Sequence, residues 1–254
     1  MKSRYGTPWS REELILAFEL YCRIPFQKTK TNNPEVQELA AALGRTPASV
    51  ARKLGNLGAS DPRLREQKIA GLTHASKLDR AIWNEFSQDW NGLVWEASKL
   101  RSSMKNMKKG HSAALTEPSG PSEVARTVMQ RVHQAFFRSA VLSSYDHRCC
   151  VTGLAIPECL IASHIVPWHQ DEKHRADPTN GLCLSATFDR LFDAGLMAIT
   201  DELIVSFASG LIKTNEKCAI EQIWPYSGKS IILPRRFMPS LERLRWHREN
   251  VFRG

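Results

Sequence analysis

The sequence lacks an apolar run of the roughly 18 residues that a membrane-spanning helix needs. Its basic first residues are not followed by the apolar segment of a secretory signal. We therefore expect a cytoplasmic protein that contacts no membrane. Six cysteines occur in 254 residues, and no two of them form a CxxC pair. This usage argues against a disulfide framework and does not favour a structural zinc ion. We expect Cys150 and Cys183 to be buried as small apolar side chains.

Positive charge is in excess, with 35 Lys and Arg against 26 Asp and Glu and a formal net charge of +9. Such an excess favours a polyanionic partner, because each cation placed near a phosphate releases condensed counterions. Apolar residues make up 42% of the chain. The length and composition predict a globular protein with room for two ordinary domains.

The first segment of the chain has the pattern of a helix-turn-helix. A capping box, Ser10 with Glu13, opens a helix over residues 9–24. Two more helices are predicted, one over residues 34–43 and one that starts after Thr46, with Gly44 ending the first of them. The pattern is shared by DNA-binding helix-turn-helix units and by ordinary helical hairpins with a solvated face. If the third helix enters a DNA groove, its candidate contacts are Arg45, Ser49, Arg52, Lys53 and Asn56.

The middle of the chain predicts a long helix and then a linker. Residues 69–97 read as one continuous helix, with an apolar stripe of Leu78, Ile82, Phe86, Trp90 and Leu93. Residues 101–122 are rich in Ser, Gly, Pro and Lys, which is typical of a linker. We therefore predict a helical DNA-recognition domain over residues 1–100 and a second domain over residues 123–254. The second domain begins with a helix over residues 122–145, and the helix at the end of the chain carries arginines that either hold phosphates or keep that end solvated.

The second domain contains a stretch that could bind a metal ion. Residues 160–167 predict a strand that carries His164, and Asn180 begins a turn into a second short strand over residues 181–184. Fifteen residues lie between His164 and Asn180, and eight between Asn180 and Asp189. A helix beginning near residue 185 or 187 places Asp189 and Asp193 on one side, because they are four residues apart. A hairpin followed by this helix would bring an imidazole and carboxylates together.

Hydrolysis of a phosphodiester needs residues of these types. A histidine is suited to take a proton from water near neutral pH. A carboxylate suits Mg²⁺ or Mn²⁺, which prefer oxygen ligands and neutralise charge on the phosphate. An asparagine can fix the loop between the strands or orient the histidine.

The short sequence segments around these residues resemble those of the HNH endonuclease family. They are CVTG at 150–153, ASHIVPW at 162–168, NGL at 180–182 and FDAGL at 192–196. The resemblance covers roughly residues 145–205 and is closest to restriction-type, McrA-like members directed at modified DNA. It implies an α+β protein in which an all-helical DNA-binding domain precedes a ββα-metal HNH nuclease domain. The segment GRTPASVARKLGNL at 44–57 resembles helix-turn-helix units fused to nucleases.

The resemblance implies roles for the matching residues. His164 would be the general base, Asn180 an orienting residue, and Asp189, where the third motif letter is often His, a ligand of Mg²⁺ or Mn²⁺. Ser163 stands where many members have a metal-binding Asp or His, so the second protein ligand stays open. Ser163 and Asp193 are candidates beside Asp189; His169, Asp171, His174 or water are the alternatives.

The expected function is metal-dependent hydrolysis of double-stranded DNA, in a restriction or phage-defence role that depends on modified cytosine. One HNH site cuts one strand, so a double-strand cut predicts a homodimer or two binding events. The sequence assigns no aromatic cage for a flipped base, although Trp83, Trp90 and Trp95 are candidates. Two alternatives stay open: a DNA-binding regulator with a degenerate HNH domain, which Ser163 favours, and an RNA-directed nuclease.

Overall fold

A computed structural model describes residues 6–69, 75–108, 123–212 and 215–254 of the chain. The chain divides into two compact units. Unit 1 comprises Met1–Ala140 with His174–Asp177, and unit 2 comprises Val141–Lys173 with Pro178–Gly254. The linker predicted over 101–122 lies largely outside the described residues, and its first part continues a helix. In the described ranges, no helix combines the length and the hydropathy that a membrane span requires.

Unit 1 is helical. Its helices are α1 (Arg11–Arg23), α2 (Pro34–Leu43), α3 (Pro47–Gly58), α4 (Pro62–Glu66), α5 (Lys77–Phe86), α6 (Trp90–Lys108) and the larger part of α7 (Glu123–Ser144). Helix α1 contacts α2, α3, α5 and α6, and its residues from Glu13 to Cys22 are all buried. The predicted capping box at the start of α1 is confirmed, because Ser10 and Glu13 each accept a hydrogen bond from the other's backbone N–H.

The tight turn between α2 and α3 forms as the sequence predicts. Gly44 ends α2 with φ of 66°, in the left-handed region that favours glycine. Asn33 caps α2 and Thr46 caps α3, and each helix begins with a proline. Caps, prolines and glycine are local signals, which is why the boundaries of this pair agree with the sequence.

The single helix predicted over residues 69–97 is wrong. The structure has two helices, α5 and α6, interrupted by a turn after Phe86. The side chain of Asp89 accepts a hydrogen bond from the backbone N–H of Gly92 at 2.9 Å and so supports the start of α6. Leu78, assigned to the apolar stripe, is exposed, whereas the other four stripe residues are buried. Residues 70–74 of this prediction lie outside the described residues.

Tryptophans pack in the core of unit 1. The rings of Trp83 and Trp90 lie 5.1 and 5.9 Å from the ring of Phe18, measured between centroids. Trp95 is exposed, with the Lys99 ammonium 4.9 Å from its ring centroid. Trp83 and Trp90 therefore contribute to packing, and these three residues do not form an aromatic cage.

Unit 2 is built on a two-stranded antiparallel sheet and a helix. Strand β1 (Leu160–His164) pairs with β2 (Gly181–Ser185), in a register that sets Ser163 opposite Leu182 and His164 opposite Gly181. Helix α8 (Ala186–Asp193) follows β2 directly and contacts both strands. The predicted strand–strand–helix order is confirmed, with β1 three residues shorter than expected, and the protein belongs to the α+β class.

A second antiparallel pair follows in unit 2. It consists of β3 (Met197–Ile199) and β4 (Val205–Phe207). After it come α9 (Ser209–Ile212), α10 (Lys217–Gln222) and α11 (Leu241–Asn250). Strand β3 has three residues, too few to show an alternating pattern.

Helix α11 is anchored to the ends of the neighbouring elements. Arg245 and Arg248 both form ion pairs with Asp201, and Arg248 also donates to the carbonyl of Ile199 at 2.7 Å. The backbone N–H of Arg253 donates to the carbonyl of Gly195. The sequence leaves two roles open for these arginines, which are to hold phosphates or to keep that end of the chain solvated. The structure shows a third role, in which they attach α11 to the turn between β3 and β4.

Three cysteines are fully buried in unit 2, namely Cys149, Cys150 and Cys183. The predicted burial of Cys150 and Cys183 is confirmed. Burial raises the pKa of the Cys150 thiol well above its ordinary value, and the neighbouring thiols raise it further. Cys150 is therefore a protonated, unreactive thiol in the folded protein.

Candidate active site

A pocket of about 430 Å³ opens between β1 and α8 in unit 2. Ser163 and His164 line it from the end of β1, and Asp189 and Asp193 line it from one side of α8. The pocket therefore brings together the histidine and both carboxylates that the sequence selected, although they are separated by up to 28 intervening residues. The antiparallel register and the short connection from β2 to α8 produce this convergence.

His164 is the last residue of β1, and its backbone is fixed by pairing with β2. The side chain is partly exposed within the pocket. The ring of Trp168 meets the imidazole edge to face, with centroids 5.6 Å apart and an interplanar angle of 89°. A strand-held imidazole that still faces solvent can reach a water molecule in the pocket, as a general base must.

Asn180 is buried and fixes the backbone beyond the histidine. Its side-chain oxygen accepts from the N–H of Val166 at 2.9 Å, and its side-chain nitrogen donates to the carbonyl of Val166 at 3.1 Å. Its own carbonyl accepts from the N–H of Ile165 at 2.9 Å. These three bonds hold the chain where it leaves β1. Asn180 thus acts on the backbone two residues after His164 and stands outside the pocket lining.

The two aspartates of α8 carry negative charge in a partly desolvated place. Burial raises the pKa of Asp189, and Ser163 and Arg190 lower it. Burial also raises the pKa of Asp193, where the Asp189 carboxylate adds to the increase and Arg190 opposes it. Asp189 is half-buried and Asp193 lies nearer the surface. Two carboxylates that disfavour each other's ionisation would both be stabilised by a cation placed between them.

The polar groups of the pocket fit a hard divalent cation. The hydroxyl of Ser163 is buried and has no well-formed hydrogen bond among the described residues, although it is near enough to Asp189 to affect its pKa. Two carboxylates and a hydroxyl are oxygen donors, which Mg²⁺ and Mn²⁺ prefer. Mg²⁺ commonly keeps several waters and binds proteins through one or two carboxylates. Asp189 and Asp193 would hold such an ion, with Ser163 beside them.

The other candidates for the second ligand do not line the pocket. His169 is exposed, and Asp171 lies 3.9 Å from the guanidinium of Arg243. His174 belongs to unit 1. Within the described ranges there is no cluster of three or more His, Cys, Asp or Glu side chains that could hold a metal ion. Asp189 and Asp193 are the carboxylates that line the pocket among the described residues.

The pocket also contains a residue that the sequence did not indicate, His247 of α11. Its ring stacks on Phe192, with centroids 3.7 Å apart and planes 5° apart, and its Nε2 lies 3.1 Å from the Phe192 carbonyl oxygen. Burial lowers the pKa of His247 to about 4, partly offset by this hydrogen bond. His247 is therefore neutral at pH 7 and packs α11 against α8. It lies more than fifty residues after α8, and no motif connects it to the site.

The five candidate DNA contacts of unit 1 line one recess, but they differ in exposure. Arg52 is exposed and Ser49 is partly exposed. The Arg45 guanidinium pairs with Glu13 at 2.6 Å, and the Lys53 ammonium bonds both carboxylate oxygens of Asp79. The expectation that Lys53 lies on an exposed face is wrong, because it turns inward to Asp79. The same holds for Asn56, which is buried beside it.

Comparison with known families adds one finding. Residues 149–200 match the family described as HNH endonuclease. No curated protein matches the chain. The match covers the buried cysteines, β1, β2, α8 and β3, and so it contains His164, Asn180 and both aspartates. The resemblance to the HNH family is confirmed for this segment, which is a domain typical of nucleases.

Proposed function

We propose that this chain is a metal-dependent endonuclease that hydrolyses DNA phosphodiester bonds in the pocket between β1 and α8. The observation that supports the proposal most strongly is the convergence of His164 with Asp189 and Asp193 in one pocket. An imidazole beside two carboxylates of raised pKa combines a proton acceptor with a place for a cation. The match to the HNH family over residues 149–200 supports the same chemistry independently.

His164 is the general base of the proposed reaction. It takes a proton from a water molecule while the water oxygen forms a bond to phosphorus. The bond from phosphorus to the leaving oxygen breaks, and that oxygen takes its proton from solvent. Asp189 and Asp193 would hold Mg²⁺ or Mn²⁺, with Ser163 as a further oxygen donor. When bound, the ion supplies positive charge that stabilises the charge developing on the phosphate and the leaving oxygen. Asn180 keeps the end of β1 in place.

The DNA substrate is supported by the charge of the chain and by unit 1. The net charge of +9 favours a polyanion, and unit 1 contains a helix pair joined by a tight turn, with Ser49 and the exposed Arg52 on the second helix. We place the protein in the cytoplasm, in a restriction or phage-defence role of the McrA-like type that acts on modified cytosine. A double-strand cut requires two copies of the site, in a homodimer or in successive binding events.

Cleavage of DNA by the purified chain tests the proposal. Plasmid DNA in plain, methylated and hydroxymethylated forms is incubated with the wild-type protein in Mg²⁺, Mn²⁺ or a chelator. We expect metal-dependent nicking or linearisation, strongest on a modified form, and strongly reduced with His164→Ala. Cleavage of structured RNA in preference to all three DNAs would redirect the proposal to an RNA nuclease.

A second function rests on Ser163, which stands where a stronger metal ligand would be expected. In this alternative the chain binds DNA as a regulator and its HNH domain does not cleave. DNA binding without cleavage of any of the three plasmids, in either metal, would favour the regulator and contradict the endonuclease.

A further inference from the structure

The recess in unit 1 has a volume of about 520 Å³ and is formed by one face of α3 and the segment before α1. Ser49, Arg52 and Asn56 lie on this face at helical spacing, and Trp9 lies across from them. The volume falls within the roughly 300–1,000 Å³ of pockets that bind small organic molecules. A helix that reads bases in a groove must project its side chains outward. This face of α3 instead forms the wall of a concavity.

Two of the cations around the recess are already neutralised. Arg45 pairs with Glu13, donates to the carbonyls of Thr7 and Pro8, and lies 4.4 Å from the centroid of the Trp9 ring. These bonds fix Arg45 and the indole as parts of a rigid wall.

Lys53 is fixed in the same way. Its ammonium bonds both oxygens of Asp79 at 2.8 and 3.0 Å and lies 5.4 Å from the centroid of Trp9. Arg52 differs from both, because it is exposed and has no ion-pair partner among the described residues. Arg52 is thus the cation of the recess that is free to meet a phosphate.

Asn56 carries an unmet hydrogen-bonding capacity into the recess. Its side-chain oxygen is buried and has no hydrogen-bond partner within the described part of the chain, and the residue is only 8% exposed. A buried acceptor without a donor is unfavourable, because it has lost its hydrogen bonds to water and gained none in return. The recess therefore offers a place for a ligand that brings an N–H group to Asn56.

We propose that this recess binds one unstacked nucleotide of the DNA substrate. An amide presents an acceptor and a donor side by side, which can pair with the hydrogen-bonding edge of any of the four bases. The indole of Trp9 supplies an aromatic wall, and Arg52 at the opening meets the phosphate. A paired base cannot reach a side chain as buried as Asn56, whereas a base taken out of the stack can enter the pocket. The inference rests on the proposed function, since it takes DNA as the substrate.

Binding of short duplexes to the full-length chain tests the inference. The duplexes are fully paired or carry one unpaired adenine, cytosine or thymine opposite an abasic site. Fluorescence anisotropy is measured in a chelator, so that no strand is cut. We expect the three duplexes with an unpaired base to bind roughly tenfold more tightly than the paired duplex.

Three variants assign that preference to the recess. Asn56→Leu, of similar size, should reduce the preference for the unpaired duplexes and leave binding of the paired duplex unchanged. Arg52→Ala should weaken binding of the unpaired duplexes. Arg65→Ala removes another exposed arginine of unit 1, outside the recess, and should leave the preference intact. Arg52 is at the surface, so its variant stays informative even if Asn56→Leu fails to fold.

The outcomes separate this inference from the proposed function. Equal binding of all four duplexes, or a preference that survives in both Asn56→Leu and Arg52→Ala, overturns the nucleotide pocket. If metal-dependent plasmid cleavage is present in that case, the endonuclease proposal stands alone. Absence of both cleavage and DNA binding overturns the two together.

Discussion

The two pockets of this protein differ in how their charged side chains are balanced by partners of opposite charge. In unit 1, the buried cations Arg45 and Lys53 each have a carboxylate partner, so the recess is largely neutral. In unit 2, Asp189 and Asp193 face one pocket with Arg190 as the neighbouring cation, and burial raises the pKa of both. A neutralised wall preserves a shape without a ligand. Two neighbouring carboxylates disfavour each other's ionisation, and a bound cation would remove this unfavourable electrostatic energy. In the proposed function, unit 1 supplies recognition and unit 2 supplies the reacting centre.

Loss of the proposed base should produce the largest effect. It tests whether the pocket of unit 2 is the reacting centre. His164→Ala should reduce plasmid cleavage by roughly 10²–10⁴-fold, because the proton acceptor is removed. DNA binding should be unchanged. His169→Ala is the matched control, since this nearby histidine is exposed and lies outside the pocket. An equal loss in both variants would show that His164 is not the base.

Removing a cation that has a carboxylate partner tests whether ion pairs hold the recess of unit 1. Arg45→Ala should lower the free energy of unfolding by about 3–5 kcal/mol, because it leaves Glu13 buried without its partner. Arg52→Ala, on the same side of the recess but exposed, should change it by less than about 0.5 kcal/mol. Chemical denaturation of both variants measures the difference. If the two substitutions cost the same, the recess is not held by its ion pairs.

His247 predicts how stability depends on pH beside the reacting centre. Its pKa is about 4 in the folded protein, below the ordinary value of 6.5, so the unfolded chain binds the proton more readily between these values. Stability is therefore retained above pH 6.5 and lost as pH falls towards 4, by about 2 kcal/mol at pH 5.

The variant His247→Gln should flatten this dependence. Urea denaturation at pH 7 and pH 5 measures the slope for both proteins. A slope that is unchanged in the variant would assign it to other groups.

Binding of the metal should give a smaller effect. It tests whether the carboxylates in the pocket of unit 2 bind a cation. Saturating Mg²⁺ should raise the Tm of the wild-type protein by a few degrees, because the ion binds only the folded state. Asp189→Asn should raise the Tm without metal, by relieving repulsion of Asp193, and should abolish the gain with Mg²⁺. Glu202→Gln is the control, an exposed acid of unit 2 outside the pocket. A gain in Tm that persists in Asp189→Asn would place the ion elsewhere.

The parts of the molecule that the sequence predicts are those set by local signals. The caps Ser10 and Thr46, and the turn glycine Gly44, define helix ends within a few residues of chain. The pocket of unit 2 could be predicted because His164, Asn180 and Asp189 lie in one continuous stretch whose strand–strand–helix order brings them together.

Features that depend on distant partners could not be predicted. Lys53 is buried because it pairs with Asp79, 26 residues later, and no helical pattern indicates that pair. His247 enters the pocket through the packing of α11 on α8, which no spacing in the sequence encodes. The turn that separates α5 from α6 depends on the Asp89 cap within a sequence whose apolar spacing continues across it.

The central claim is that the pocket between β1 and α8 cuts DNA with a bound cation. Its most direct test is the conversion of supercoiled plasmid to nicked or linear DNA by the wild-type protein as Mg²⁺ is titrated against a chelator. We predict cleavage that rises with Mg²⁺, stops in excess chelator and is absent in Asp189→Asn at the same Mg²⁺ concentration. Cleavage that is equal with and without metal, or that persists undiminished in Asp189→Asn, would contradict the claim.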